Sequence, residues 1–350
     1  MTQRVFDGHN DVLLRLWRQD RTGQSFLDGG EEGHIDLPRA RTGGLVGGIF
    51  ATFVMDVDGV TTRRAQSGGD AGGNAANLAA QRHEHALKVT LSQLSIALRL
   101  ERASNGTVRI CRSAGEIGRA VDDGAFAMTL HLEGAEAIAP DLDNLHVLYA
   151  GGVRSLGIVW SRPTWFGFGV PFRFPSTPDI GPGLTEAGVA LVKECNALGI
   201  MVDVSHLNER GFWDVARHSH APLVATHSNA HAVCPVSRNL TDAQMDAIRD
   251  SEGVVGLNFA TFFLREDGRR QPSTPLDTMV RHLDHMLNKL GPGGVALGSD
   301  FDGALVPADI GDATGLPNLV AAMRAAGYDD DLIDRVCFRN WQDVLTRTIG

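Results

Sequence analysis

Eight apolar runs of strand length recur along this chain, most of them separated by longer segments of helical character. They are VFDGH (5–9), LVGGIFATFV (45–54), AFAMTLHLE (125–133), VRSLGIVW (153–160), MVDVSH (201–206), PLVATHS (222–228), VVGLNFA (254–260) and VALGSDFDG (295–303). Most are near-continuous in apolar character rather than alternating, which is the pattern of parallel strands covered on both faces. Segments 74–102, 185–198, 208–218, 241–250, 275–290 and 329–349 read as helices. Thr185 is placed to cap one of them and Gly199 to end it. Repeated strand-then-helix units predict an α/β fold, a (β/α)8 TIM barrel spanning 1–350 as one domain, with its active face at the C-terminal ends of the strands. An open doubly wound sheet usually carries a glycine-rich phosphate turn after its first strand, and GHND is not one.

The ends of these runs hold the chemistry. The first ends in His9 and Asp11, two residues apart and therefore expected on the same side of the strand. The third ends in Glu133, the fifth in His206, the sixth in His227 and the eighth in Asp300. Isolated imidazoles and carboxylates in a water-poor barrel mouth are costly unless they are paired or bind metal. Three histidines with several carboxylates suit Zn²⁺, and one ion takes about four ligands. Five ligands and a spare aspartate therefore suggest two Zn²⁺, with Glu133 giving one oxygen to each. Asp7, one layer deeper, is expected to support the ligands, and His131 to line the interior.

Two connections are long, Asp56–Gly73 and Ser161–Gly183. The second carries Trp165, Phe166, Phe168 and Phe172, which could cover a substrate. The net charge of −10 argues against a nucleic-acid partner. Four widely spaced cysteines form no CxxC pair and are expected to be reduced and buried. Neither end carries a secretory leader, a membrane-spanning stretch or a lipid-anchor signal, so a cytoplasmic protein with no membrane partner is expected.

Five blocks, DGHND, LEG, DVSH, ATHSNAHAVCPVSRNLTD and GSDFDG, occur in order from Asp7 to Gly303 and resemble the signatures of the renal (membrane) dipeptidase family. These are dinuclear-zinc metallopeptidases of amidohydrolase type. The resemblance implies one zinc held by His9, Asp11 and Glu133 and a second by Glu133, His206 and His227. It implies a hydroxide bridging the two ions, Asp300 as the proton-transfer residue and Arg238 holding the substrate carboxylate. The substrates implied are L-Xaa-D-Xaa or L-Xaa-L-Xaa dipeptides, and family members are often homodimers. The chain also departs from the pattern. Trp160 stands where better-known members have a histidine facing the scissile carbonyl, so it is expected either to donate weakly to the oxyanion or to shape the substrate pocket. Glu136 stands where some relatives have a histidine, and His231 where other side chains occur. These changes keep open an alternative substrate class, N-acyl amino acids or lactones. A metal-binding barrel without turnover is a further alternative, which the presence of Asp300 argues against.

Overall fold

The computed structural model describes residues 3–55 and 71–350, with side chains from 82 onward in the second segment. The strands are β1 (Val5–Asn10), β2 (Leu45–Phe53), β3 (Val108–Ile110), β4 (Phe126–Glu133), β5 (Val153–Gly157), β6 (Met201–Asp203), β7 (Val224–Ala225), β8 (Val254–Leu257) and β9 (Val295–Leu297). Every pairing is parallel. Eight strands follow the order β1-β2-β4-β5-β6-β7-β8-β9. The ring closes where the Asp300 N–H donates to the His9 carbonyl (3.0 Å) and the Asp11 N–H to the Phe301 carbonyl (2.8 Å). The fold is the (β/α)8 barrel that the repeated pattern implies.

The short strand β3 lies outside that ring, beside the first residues of β4. No apolar run marks it, because it is three residues long and its central Arg109 is half-buried. The connection expected at Asp56–Gly73 lies outside the described residues as far as position 70. A single closing helix was expected over 329–349. It is instead two α-helical pieces, Asp330–Asp334 and Asn340–Ile349, joined by a π-helical turn at Arg335–Arg339. Thr185 does cap helix Glu186–Leu198 by accepting from the Gly188 N–H, and Gly199 ends it with a φ of 68°.

Inside the barrel, side chains change character with height. Phe6, Ile49, Ala127, Met201, Val224, Val254 and Ala296 form one apolar cluster near the N-terminal ends of the strands. Trp341 of the closing helix belongs to that cluster and donates from its indole to the Leu297 carbonyl (2.8 Å). Gly8 makes room for it, since a Cβ there would lie 2.2 Å from the indole and 2.6 Å from the Thr226 carbonyl. Alternate residues on β4 share a face, so the column Ala127, Thr129, His131, Glu133 runs from this plug to the open end. All four cysteines are free and buried. Among the described residues, no helix is long and apolar enough to cross a membrane.

Candidate active site

The ionisable residues gather at the C-terminal ends of the strands, His9 and Glu133 in the last residues of β1 and β4 and the others just past their strands. β1 gains an extra residue against β2 between Asp7 and Asn10, a bulge beside His9. Asp11 lies just past the strand and starts helix Val12–Gln19. His206 comes three residues after β6, His227 two after β7 and Asp300 three after β9. His206 (φ 67°) and Asp300 (φ 60°) adopt the left-handed backbone that non-glycine residues seldom take.

These exits bring His9, Asp11, Glu133, His206 and His227 together, all buried. Glu133 faces two ways. Its Oε1 lies 3.1 Å from His206 Nε2 and 3.6 Å from His227 Nε2, while its Oε2 lies 3.7 Å from His9 Nε2. His9 Nε2 is also 3.8 Å from Asp11 Oδ2. The His9 and His227 rings stack with centroids 3.7 Å apart.

Hydrogen bonds fix how His227 is protonated. Thr226 Oγ1 gives its hydrogen to Asp203 Oδ2 (2.5 Å), so it can only accept from His227 Nδ1 at 2.8 Å. His227 Nε2 then presents a lone pair. Ser161 Oγ lies 2.8 Å from His206 Nδ1, and with the ring hydrogen on Nδ1 the hydroxyl accepts it and His206 Nε2 is free as well. Those two nitrogens are 3.1 Å apart, with Glu133 Oε1 against both. In that tautomer three acceptors face one another, an arrangement that repels unless a cation lies between them. A tetrahedral site with bonds of ~2.0–2.1 Å has donor–donor edges of about 3.3–3.4 Å, close to what is seen. Both nitrogens of His9 and Oδ1 of Asp11 are buried without a hydrogen-bond partner, as unliganded metal donors would be. The donor set therefore fits metal binding.

The electrostatics agree for Glu133, His206 and His227. Burial disfavours charge on Glu133, but the imidazoles around it, His9 first, outweigh it and hold the carboxyl well below its usual range. Burial also opposes charge on His9, yet Glu133, Asp11 and Asp300 raise its pKa to about 10. Burial, followed by the Arg238 cation, lowers His206 to about 4. Burial and then His9 push His227 well below its ordinary value. His206 and His227 are thus neutral at pH 7, the form that binds metal. Burial raises Asp300, and Glu133 raises it further.

Asp300 Oδ2 accepts from Asn258 Nδ2 (2.9 Å), a partner the sequence did not single out. Asp7 stands behind the site, accepting from the Ser299 N–H (2.7 Å) and hydroxyl (2.9 Å) and from Asn10. His131 meets Ser155 Oγ (2.8 Å) and lies 3.7 Å from Asp203.

A cavity of about 300 Å³ opens onto this cluster, lined by Asp11, Glu133, His206, Asp300 and Trp160 among others. That is the small end of the range for ligand pockets, ~300–1,000 Å³. Trp160 packs against Phe53 (5.2 Å between centroids) and Phe172 (5.6 Å). Arg162 lies 5.2 Å from the rings of both Phe53 and Trp160 and is neutralised by Glu136 at 2.7 Å. Of the four aromatics expected to cover a substrate, Phe172 lines the cavity, Phe166 is buried in the core and Trp165 packs on His83. Phe168 is not part of the lining. Arg238 is buried beside Phe263 rather than exposed in the cavity wall. Its Nη atoms donate to Ser228 Oγ (2.7 Å) and the His227 carbonyl (2.8 Å), and its Nε has no partner.

Comparison with known proteins agrees across the whole length. A family model described as membrane dipeptidase (peptidase family M19) matches residues 1–349. An uncharacterized protein from the pqqA 5′ region of Klebsiella pneumoniae is 51% identical over 259 residues, covering 74% of this chain and 96% of that protein. The crystal structure of dipeptidase AC, a metallopeptidase of family M19, superposes over 100% of both chains at 52% identity and a TM-score of 0.91. A metallopeptidase from Rhodobacter sphaeroides, solved with a phosphinate mimic of the dipeptide L-Ala-D-Ala, covers 99% of this chain and 100% of its own at 51% identity and a TM-score of 0.91.

Proposed function

This chain belongs to the membrane dipeptidase family, M19, and from that premise we propose a dipeptidase that uses two Zn²⁺ to cleave L-Xaa-D-Xaa or L-Xaa-L-Xaa dipeptides. The observation that carries the reading is the division of Glu133, with Oε2 toward His9 and Oε1 toward His206 and His227. His9, Asp11 and Glu133 would hold one ion, and Glu133, His206 and His227 the other. When bound, such a pair polarises a peptide carbonyl and brings the pKa of water toward neutrality.

The chain's own residues supply the rest. Asp300, held by Asn258, takes the proton from the attacking water and passes it to the leaving amine. Arg238, with Nε unpartnered, holds the terminal carboxylate of the second residue. This clamp explains a limit to two residues, because a longer peptide has no carboxylate at that place. Trp160 shapes the wall of the cavity, and its indole N–H cannot titrate. The dipeptide mimic bound by the Rhodobacter sphaeroides relative supports this substrate class over N-acyl amino acids or lactones.

The test is a steady-state assay of a dipeptide panel, with N-acyl amino acids and lactones alongside, on zinc-loaded and chelated protein. Turnover of dipeptides that disappears on chelation and returns with Zn²⁺ is the expected outcome. Preferred turnover of N-acyl amino acids or lactones would overturn the substrate assignment, and full activity after chelation would overturn the metal mechanism.

A further inference from the structure

Two cations in the cavity wall have no part in the chemistry above. Arg18 lies on the helix that follows β1, and Arg270 on the loop after β8. The described contacts of Arg18 are a weak one to Met55 Sδ (3.8 Å), and those of Arg270 a ring contact with Phe262 (5.7 Å). Among the described residues neither meets a carboxylate, and the reason lies in how nearby acids are used. Asp267 is taken by Arg265 through two hydrogen bonds (2.8 and 2.5 Å) and by the Arg269 N–H (3.1 Å). Glu266 faces Arg281 at 3.7 Å. Asp302 is taken by Arg15 at 2.9 Å, and Asp11, Glu133 and Asp300 point into the metal-ligating cluster.

The Arg270 loop is anchored by the two residues that follow Arg270. The Gln271 N–H donates to Thr261 Oγ1 (3.2 Å), and the Ala308 N–H to the Pro272 carbonyl (2.7 Å). Arg270 is thus presented at a fixed place with its guanidinium open to solvent and to the cavity.

Strand order says which part of a substrate these cations would meet. In the closed ring β9 lies between β8 and β1, so Arg270 and Arg18 flank the strand whose end carries Asp300. Asp300 serves the leaving amine, and that amine belongs to the second residue of a dipeptide. The aromatic wall of Phe53 and Trp160 starts from β2, beside β1, and runs to the segment after β5, across the ring from β9. Resting on the dipeptidase reading, we propose that Arg270, assisted by Arg18, selects dipeptides whose second residue has an acidic side chain. A guanidinium binds a carboxylate through paired, charge-assisted hydrogen bonds.

The experiment measures kcat/KM of the zinc-loaded full chain on Ala-Xaa dipeptides, with Xaa as Asp, Glu, Ala, Leu or Lys in both stereochemistries. The expected result is a preference for Asp or Glu over Ala and Lys of about ten-fold or more. In Arg270→Met that ratio should fall about ten-fold, mainly through KM, and Arg270→Lys should restore part of it. Arg18→Met should lower it less. A native chain with no acidic preference would overturn the assignment. So would an Arg270→Met variant that slows every dipeptide equally, since that would place the terminal carboxylate on Arg270. If no dipeptide is hydrolysed at all, the dipeptidase reading fails and this one with it.

Discussion

His282 ties together two loops that form the site, and its protonation should weaken the fold in acid. It is buried on helix Leu276–Leu290. Its Nδ1 accepts from the Ala230 N–H (3.2 Å), at the start of the loop that leads to Arg238. Its Nε2–H donates to the Leu264 carbonyl (2.9 Å), beside the cavity residue Phe263. Both bonds require a neutral ring with its hydrogen on Nε2. Burial is the main reason its pKa falls from 6.5 to about 4. A lowered histidine pKa means that the unfolded chain binds the proton more tightly, so stability is whole above pH 6.5 and is lost as pH falls toward 4. At ~1.4 kcal/mol per pH unit the full loss is about 3 kcal/mol, of which about 2 kcal/mol has gone by pH 5. His282→Gln can keep both hydrogen bonds and cannot titrate. Melting temperatures of the two proteins, measured from pH 8 to pH 5, should therefore converge or cross as the wild type loses its advantage. For a chain of this size, about 2 kcal/mol corresponds to a relative shift of about 3 °C. Metal ligands also titrate in this range, but they do so in both proteins and cancel in the difference. A difference in melting temperature that stays constant with pH would refute the reasoning.

Two further perturbations probe the site and its support. Asp300→Asn should lower kcat by about 10²-fold or more while the bound zinc, measured by elemental analysis, stays unchanged; near-normal turnover would remove the proton-transfer role. Gly8→Ala should destabilise the fold by about 1–3 kcal/mol, because its Cβ would meet the Trp341 ring at 2.2 Å and the Thr226 carbonyl at 2.6 Å. Metal affinity should fall with it, since His9 is the next residue, and an unchanged melting temperature would show that the indole plug moves freely.

The barrel was legible because burial on both faces leaves a mark on every strand, a near-continuous apolar run that polar loops cannot imitate. The run ending in Glu133 shows this best, since β4 spans Phe126–Glu133, almost the whole of AFAMTLHLE. The run PLVATHS was less faithful, for only Val224 and Ala225 remain in the ladder. Its last residues, Thr226, His227 and Ser228, are buried but polar, and lie past the end of the strand. β3 left no such mark, being a short strand outside the ring.

The candidate ligands were legible for a related reason, although the geometry expected for them was too simple. Alternation along a strand put His9 and Asp11 on one side, yet a bulge intervenes and Asp11 already belongs to the helix start. Their side chains meet because the chain turns there, with the Asp11 N–H bonded to the Phe301 carbonyl. His206 and Asp300 go further, each with a left-handed backbone that costs of order 1 kcal/mol or more. The barrel sustains it through bonds on both sides, from the Val170 N–H to the His206 carbonyl (2.8 Å) and from the Asp300 N–H to the His9 carbonyl (3.0 Å). Such conformations depend on neighbours distant in sequence, and no local pattern announces them. The same holds for the cavity wall. Arg238 sits in a marked sequence block yet lies buried beside Phe263 and outside the cavity lining, while Arg18 and Arg270 sit in unremarked segments and reach the cavity. Residue type and strand position therefore disclose which groups can bind a metal, whereas the side chains that choose a substrate are set by how the loops pack on one another.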